Sequence, residues 1–118
     1  MVAKIVSHGD KAVNLHLTCL TDDGRKADVT PAKKVMSGKL PDGCAIRLSP
    51  AAPVMGVAEG IETAISASLM FDMPVWACVN GTLLSKWIPP EIAASFEKRL
   101  IDLGFQESKW RCFTMNLC

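Results

Sequence analysis

The chain has 118 residues, of which 49% are hydrophobic and 21% charged, enough for one globular domain with a real core. Its formal charge of +1 excludes any whole-molecule electrostatic argument for nucleic acid. No apolar run is long enough to span a bilayer and no apolar signal segment opens the chain, so the expected address is cytoplasmic, with no membrane partner.

Residues 1 to 12 carry no clear pattern. Val13, Leu15, Leu17 and Cys19 then alternate with Asn14, His16 and Thr18. The alternation predicts a half-buried strand with the apolar set inward and His16 on the solvated face. Thr21-Asp22-Asp23-Gly24 is a turn signal. Arg25 to Thr30 is expected to return as the second strand of a hairpin, ended by Pro31. Ser37 to Gly43 reads as a loop. Its Gly38-Lys39 pair lacks a Walker A setting, so it predicts no P-loop. Ala45-Ile46-Arg47-Leu48 reads as a third short strand.

From Arg25 to Arg47 the chain is basic. Arg25, Lys26, Lys33, Lys34, Lys39 and Arg47 stand against only Asp28 and Asp42. Such a patch is either a solvated lysine-rich hairpin or a contact for the phosphates of nucleic acid or a nucleotide.

The informative stretch follows. A short apolar run, about 53–58, ends at Glu59, and Gly60 comes next. Ile61, Ala64, Ile65, Ser68 and Leu69 then fall on one helical face, which predicts a helix over about 60–71. A second apolar run over about 74–79 is bounded by Pro74 and Asn80-Gly81. Strand, helix and strand of these lengths predict a parallel pair with a right-handed crossover. Glu59 then sits at the carboxyl edge of the first strand, where open α/β sheets bind ligands. A carboxylate there is either a ligand for a hard cation or a general acid/base, or simply a favourable charge near a helix N-terminus, as is Glu62.

Leu83 to Trp87 predicts a brief helical turn, broken by Pro89-Pro90. Trp76 is expected in the core, whereas Trp87 is also a candidate for stacking on bases. Ile92, Phe96, Leu100 and Leu103 predict a second helix over 91–103 with Gly104 as its C-cap. Trp110 to Leu117 reads as a final short strand. Cys19, Cys44, Cys78, Cys112 and Cys118 show no Cys-x-x-Cys spacing, and neither His8 nor His16 lies near a cysteine pair, so no zinc site is expected. Cys19, Cys44 and Cys78 read as small buried thiols and Cys118 as an exposed one.

Ala58-Glu59-Gly60-Ile61-Glu62-Thr63-Ala64 resembles the first motif of Toprim domains, in the flavour found in primase/helicase proteins of phages, plasmids and integrated elements. Asn80-Gly81-Thr82-Leu83-Leu84 resembles the loop after that family's second strand. The pieces Leu17 to Lys26, Pro31 to Lys34 and Gly43 to Leu48 resemble its lead-in hairpin, and Trp87-Ile88-Pro89-Pro90 the segment before its next strand. The likeness covers residues 13 to 91. It implies a Toprim-like α/β fold: a small parallel sheet with a βαβ core over 53–90, preceded by a basic N-terminal hairpin over 13–48. It also implies that Glu59 is the catalytic and metal-binding position for Mg²⁺ or Mn²⁺, supported by Gly60, Gly81 and Thr82.

The family completes its site with an Asp-x-Asp motif after the Pro-Pro segment, and no Asp-x-Asp follows Pro90. Residues 91–118 form a divergent helix and tail instead. Asp72 belongs to the opposite end of the unit, and Glu91 is the one carboxylate near the start of the missing motif. The resemblance therefore implies a single, incomplete Toprim-like domain over 1–118, from a DNA primase or related replication protein of a mobile element and inactive alone. Two alternatives accompany it. One is a non-enzymatic module that binds nucleic acid or protein through the basic hairpin. The other is a metal-dependent nucleotidyl transferase or nuclease completed by a partner chain. A missing acidic strand would leave a parallel edge uncovered beside the second strand, which predicts a homodimer.

Overall fold

The structure is a computed structural model, and it describes residues 1–93. Of the expected 91–103 helix only Glu91, Ile92 and Ala93 are described, in helical conformation. Gly104, the 110–117 strand, Cys112 and Cys118 lie outside the described residues.

Six strands form one mixed sheet. They are β1 (Val2–Val6), β2 (Ala12–Thr18), β3 (Lys33–Val35), β4 (Ala45–Ile46), β5 (Gly56–Ala58) and β6 (Val75–Ala77), in the spatial order β3-β2-β1-β4-β6-β5. Among the described residues, α1 (Ile61–Phe71) connects β5 to β6 and α2 (Gly81–Ser85) follows β6. The architecture is mixed α/β. The parallel pair is present: β5 and β6 run side by side with Gly56 opposite Val75 and Ala58 opposite Ala77, linked by α1. The remaining pairs are antiparallel, so the parallel part is one edge of a largely antiparallel sheet rather than a small parallel sheet.

The hairpin differs from expectation. Residues 1 to 12 contain β1, which pairs with β2 and occupies the middle of the sheet. The Thr21–Gly24 turn forms, with Gly24 at φ +84° and a hydrogen bond from Thr21 N to Arg25 O of 2.7 Å. Arg25 to Thr30, however, is not a strand. It contributes only the isolated bridge between Leu20 and Lys26, and β2 pairs instead with β3. The third expected strand is β4, two residues long, wedged between β1 and β6.

The core lies on both faces of the sheet. On one, Ile5, Ile46, Ala58, Val75 and Ala77 meet Ile61, Ala64 and Ala67 of α1. On the other, Ala45, Met55, Val57, Trp76 and Cys78 meet Leu84, Trp87 and Ala93. The helix face that seats on the sheet is thus Ile61, Ala64 and Ala67. Ile65 is half exposed and Leu69 is 80% exposed, contrary to the face drawn from apolar spacing. Small side chains let the helix axis approach the sheet, and the larger ones are left outside. Trp76 is buried as expected. Trp87 is buried as well, edge-on to Trp76 at 6.4 Å, so it is a core residue and not an exposed stacking platform. Cys44 and Cys78 are buried, but Cys19 is exposed because it follows Leu15 and Leu17 on the outward side of the β2 alternation.

The second strand, β6, is covered on both sides by β4 and β5. The uncovered parallel edge expected beside it is therefore not there. Among the described residues the sheet edges are β3 and β5. No described helix is long and apolar enough to cross a membrane.

Candidate functional site

Two loops leave the carboxyl ends of the parallel strands on the same side of the sheet. After β5 comes Glu59, exposed, then Gly60 and α1. After β6 comes a tight turn in which Asn80 N donates to Cys78 O at 2.8 Å, closing a three-residue loop around Val79 at φ +73°. That conformation is rare for a β-branched residue and stores strain. Asn80 then caps α2, its Oδ1 accepting from Leu83 N at 2.9 Å. Gly81 and Thr82 are exposed in the first turn of α2. The Asn-Gly-Thr signal thus has a local structural cause, a helix cap, and the register of β5 on β6 brings it to the sheet edge that carries Glu59.

The head of α1 is open. Gly60 is the N-cap in extended conformation and no side chain caps the helix. The first-turn amides therefore lack a side-chain acceptor from this position. Glu62, in that first turn, is met instead by two lysines from the hairpin. Lys33 Nζ donates to Glu62 Oε2 at 2.8 Å, and Lys26 Nζ lies 3.9 Å from Oε1. Partial burial pushes the Glu62 carboxyl up, but the Lys33 hydrogen bond, the carboxylate's contact with its own backbone N–H and the two positive charges outweigh it and hold the pKa below the usual value. A Cβ on Gly60 would stand 3.5 Å from Glu62 Oε2 and 4.0 Å from Lys33 Nζ, ordinary contact distances, so the N-cap position lies directly beside this pair.

Behind the lysines, Asn14, His16 and Thr18 of β2 turn inward, reversing the face expected from the alternation. Val13, Leu15 and Leu17 are only partly buried or exposed. His16 pairs in register with Ala3 and Val35, and Thr18 with Lys33. Asn14 is satisfied, donating to Met36 O at 3.0 Å and accepting from Leu15 N at 2.7 Å. His16 Nδ1 and Thr18 Oγ1 are buried without a partner. Burial lowers the His16 pKa, the nearby Lys33 ammonium lowers it further, and Glu62 offsets part of the fall. His16 is thus a buried neutral imidazole, not a solvated strand residue.

Thr18, Lys26, Lys33 and Glu62, with Leu20 and Ile61, line a cleft of about 590 Å³ between the hairpin and α1. A second cleft, about 560 Å³, lies along the other flank of Ile61 and Ile65 and contains Lys4, Asp10 and Arg47. Glu59 lines neither.

The six basic residues therefore separate. Lys26 and Lys33 converge on Glu62. Arg25 is fully outside and pairs with Asp23 at 3.4 Å. Lys34 faces away from Lys33 by strand alternation and is exposed, and Lys39 is exposed in the loop before β4. Arg47 is a structural residue: it donates to Asp10 Oδ1 at 2.5 Å and to Ser7 O at 2.9 Å and lies 4.8 Å above the Trp76 ring. Among the described residues no three His, Cys, Asp or Glu side chains gather as a metal site. Asp72 caps the far end of α1 in left-handed conformation, and Glu91 is exposed.

Sequence reasoning missed the inward turn of His16 and Thr18 and the role of Glu62 as partner to two hairpin lysines. Both depend on contacts across sequence separations that no local period reports. The chain matches no family model, no curated protein and no solved structure.

Proposed function

We propose that the chain is a phosphate-handling domain of the Toprim type, from a DNA primase or related replication protein of a mobile element, without a complete catalytic centre of its own. The observation that carries this reading is the exposed Glu59-Gly60 at the carboxyl end of β5, beside Asn80-Gly81-Thr82 at the carboxyl end of its parallel neighbour. Glu59 would hold Mg²⁺ or Mn²⁺ weakly, with phosphate oxygens supplying further ligands. Two-metal phosphoryl transfer needs several converging carboxylates, so chemistry would require acidic groups from another chain.

The test is calorimetric titration of Mg²⁺ and Mn²⁺ into wild type and Glu59→Gln, with and without a short single-stranded DNA. Metal binding that disappears in Glu59→Gln supports the reading. Equal titrations for both proteins remove Glu59 from any metal site.

The non-enzymatic alternative draws on Lys26 and Lys33, the two basic residues that share a cleft. Self-association also belongs to this proposal. It would use the outer side of β5, since the β3 edge carries Lys33 and Lys34 and is guarded by charge. A single monomeric species by light scattering would rule it out.

A further inference from the structure

We infer that the cleft between the hairpin and the head of α1 is a site for a terminal phosphate group, and that Glu62 occupies it with its own carboxylate when no ligand is present. The inference deepens the phosphate-handling part of the proposed function and rests on that part. It needs neither a metal ion nor Glu59.

Three observations converge on one place, and a fourth lies next to it on the same strand face. Two ammonium groups, Lys33 and Lys26, meet a single carboxylate, and the Met1 α-ammonium, which donates to Thr18 O at 2.7 Å, lines the same cleft, so positive charge is in excess there. The eleven-residue helix α1 opens toward the same point with no capping side chain at Gly60, and its amides and dipole favour an anion. Thr18, 4% exposed, is a lining residue of the cleft, and its hydroxyl is buried without a partner. His16, 7% exposed and two residues earlier on the same strand face, holds a second unpartnered polar atom. Buried polar atoms are costly when unpaired, so the Thr18 hydroxyl behind a lysine pair marks a place where a ligand would supply an acceptor, while His16 does not itself line the cleft.

The chemistry selects the ligand class. A phosphomonoester carries about −1.5 to −2 charge and three acceptor oxygens. It can take both lysines at once and, on rotation of the Thr18 side chain, offer its third oxygen to that hydroxyl, which a carboxylate with two oxygens and a single charge cannot. An internal phosphodiester, with one charge and two free oxygens, gains less over Glu62. The cleft volume of about 590 Å³ also lies in the range of small-molecule sites. Leu20 and Ile61 supply an apolar wall beside the charges. Two sources offer a terminal phosphate, a free nucleotide and the 5′ end of a strand.

Glu62 is then a built-in competitor, and its removal should increase affinity. Calorimetry without metal would use inorganic phosphate, ATP, and a short oligothymidylate with either a 5′-phosphate or a 5′-hydroxyl. The proteins would be wild type, Glu62→Gln, Lys33→Gln and Thr18→Val. The expected result is binding that tightens about three- to fivefold in Glu62→Gln, the scale of one exposed ion pair. Binding should weaken in Lys33→Gln and Thr18→Val. A gain in affinity cannot come from misfolding, so Glu62→Gln keeps the test decisive if either of the other variants unfolds. Binding of ATP without discrimination between the two oligonucleotides assigns the site to free nucleotide. Preference for the 5′-phosphate assigns it to a strand end. Unchanged or weaker binding in Glu62→Gln, or no binding of any probe, overturns the inference. Phosphate binding that fails while Glu59-dependent metal binding persists would remove this site and leave the metal reading standing.

Discussion

Asn14, His16 and Thr18 point into the protein while Leu15 points out, and the energetic consequence falls mainly on His16. Its pKa lies below the ordinary 6.5 because burial and then Lys33 disfavour the imidazolium, with Glu62 only partly opposing them. Below 6.5 the unfolded chain therefore binds more protons at this position than the folded one. The sign follows: stability present at neutral pH is lost as the pH falls from about 6.5 toward the folded value. Melting temperature should drop between about pH 7.5 and about pH 5.5, and His16→Gln should flatten that drop. Identical profiles for the two proteins would show that His16 does not set the acid limit. Arg47 makes a different prediction. Its guanidinium joins Ser7 and Asp10 to the Trp76 face, so Arg47→Ala should cost about 1–2 kcal/mol in urea denaturation. The same change should leave affinity for single-stranded DNA where it was, since this side chain is already committed.

Helix α1 shows how a period can be right and its face partly rotated. Ile61 to Leu69 spells a helix, and the boundaries expected at 60–71 nearly match the observed Ile61–Phe71. The residues that defined the face were Ile61, Ala64, Ile65, Ser68 and Leu69, and the sheet takes Ile61 and Ala64 of these but Ala67 in place of Ile65 and Leu69. A helix crossing close over the Ala58 and Ala77 backbones has no room for leucine. Ala64→Leu should therefore cost about 1–3 kcal/mol by overpacking, while Leu69→Gln should change stability by less than about 0.5 kcal/mol. Chemical denaturation of both variants checks the assignment, and the reverse order of costs would refute it. β1 was illegible for a related reason. Val2 and Lys4 share the exposed side and Ile5 alone is fully buried, so five residues present almost no alternation. The Glu59-Gly60 and Asn80-Gly81 breaks, by contrast, were legible because strand ends and helix caps use local chemistry. The gathering of Lys26, Lys33 and Glu62 was not, since Lys33 and Glu62 are 29 positions apart.

At the scale of the whole molecule, near-neutral charge limits what any nucleic-acid contact can be. A field of +1 steers nothing over distance. If binding comes from the local pair Lys26 and Lys33, the salt dependence should be shallow. Two phosphate contacts give a slope of about −1.4 in log affinity against log salt for single strands. Lys33→Glu should remove the binding and Lys34→Glu, on the other side of β3, should leave it. Equal losses from both would mean that the contact is a diffuse surface rather than the cleft.

The sheet order also dictates a history for each molecule as it is made. The hairpin that carries the cleft is complete once Val35 has been synthesised, but β1 waits for β4. β4 in turn keeps a bare edge until Ala77 emerges, about thirty residues later. At roughly 5–20 residues per second a nascent chain exposes that two-residue edge for a few seconds. During that interval the first half of the sheet has an open flank next to the next chain on the same message. The shortness of β4, which gives a stray strand only two residues to grip, is then a safeguard during synthesis.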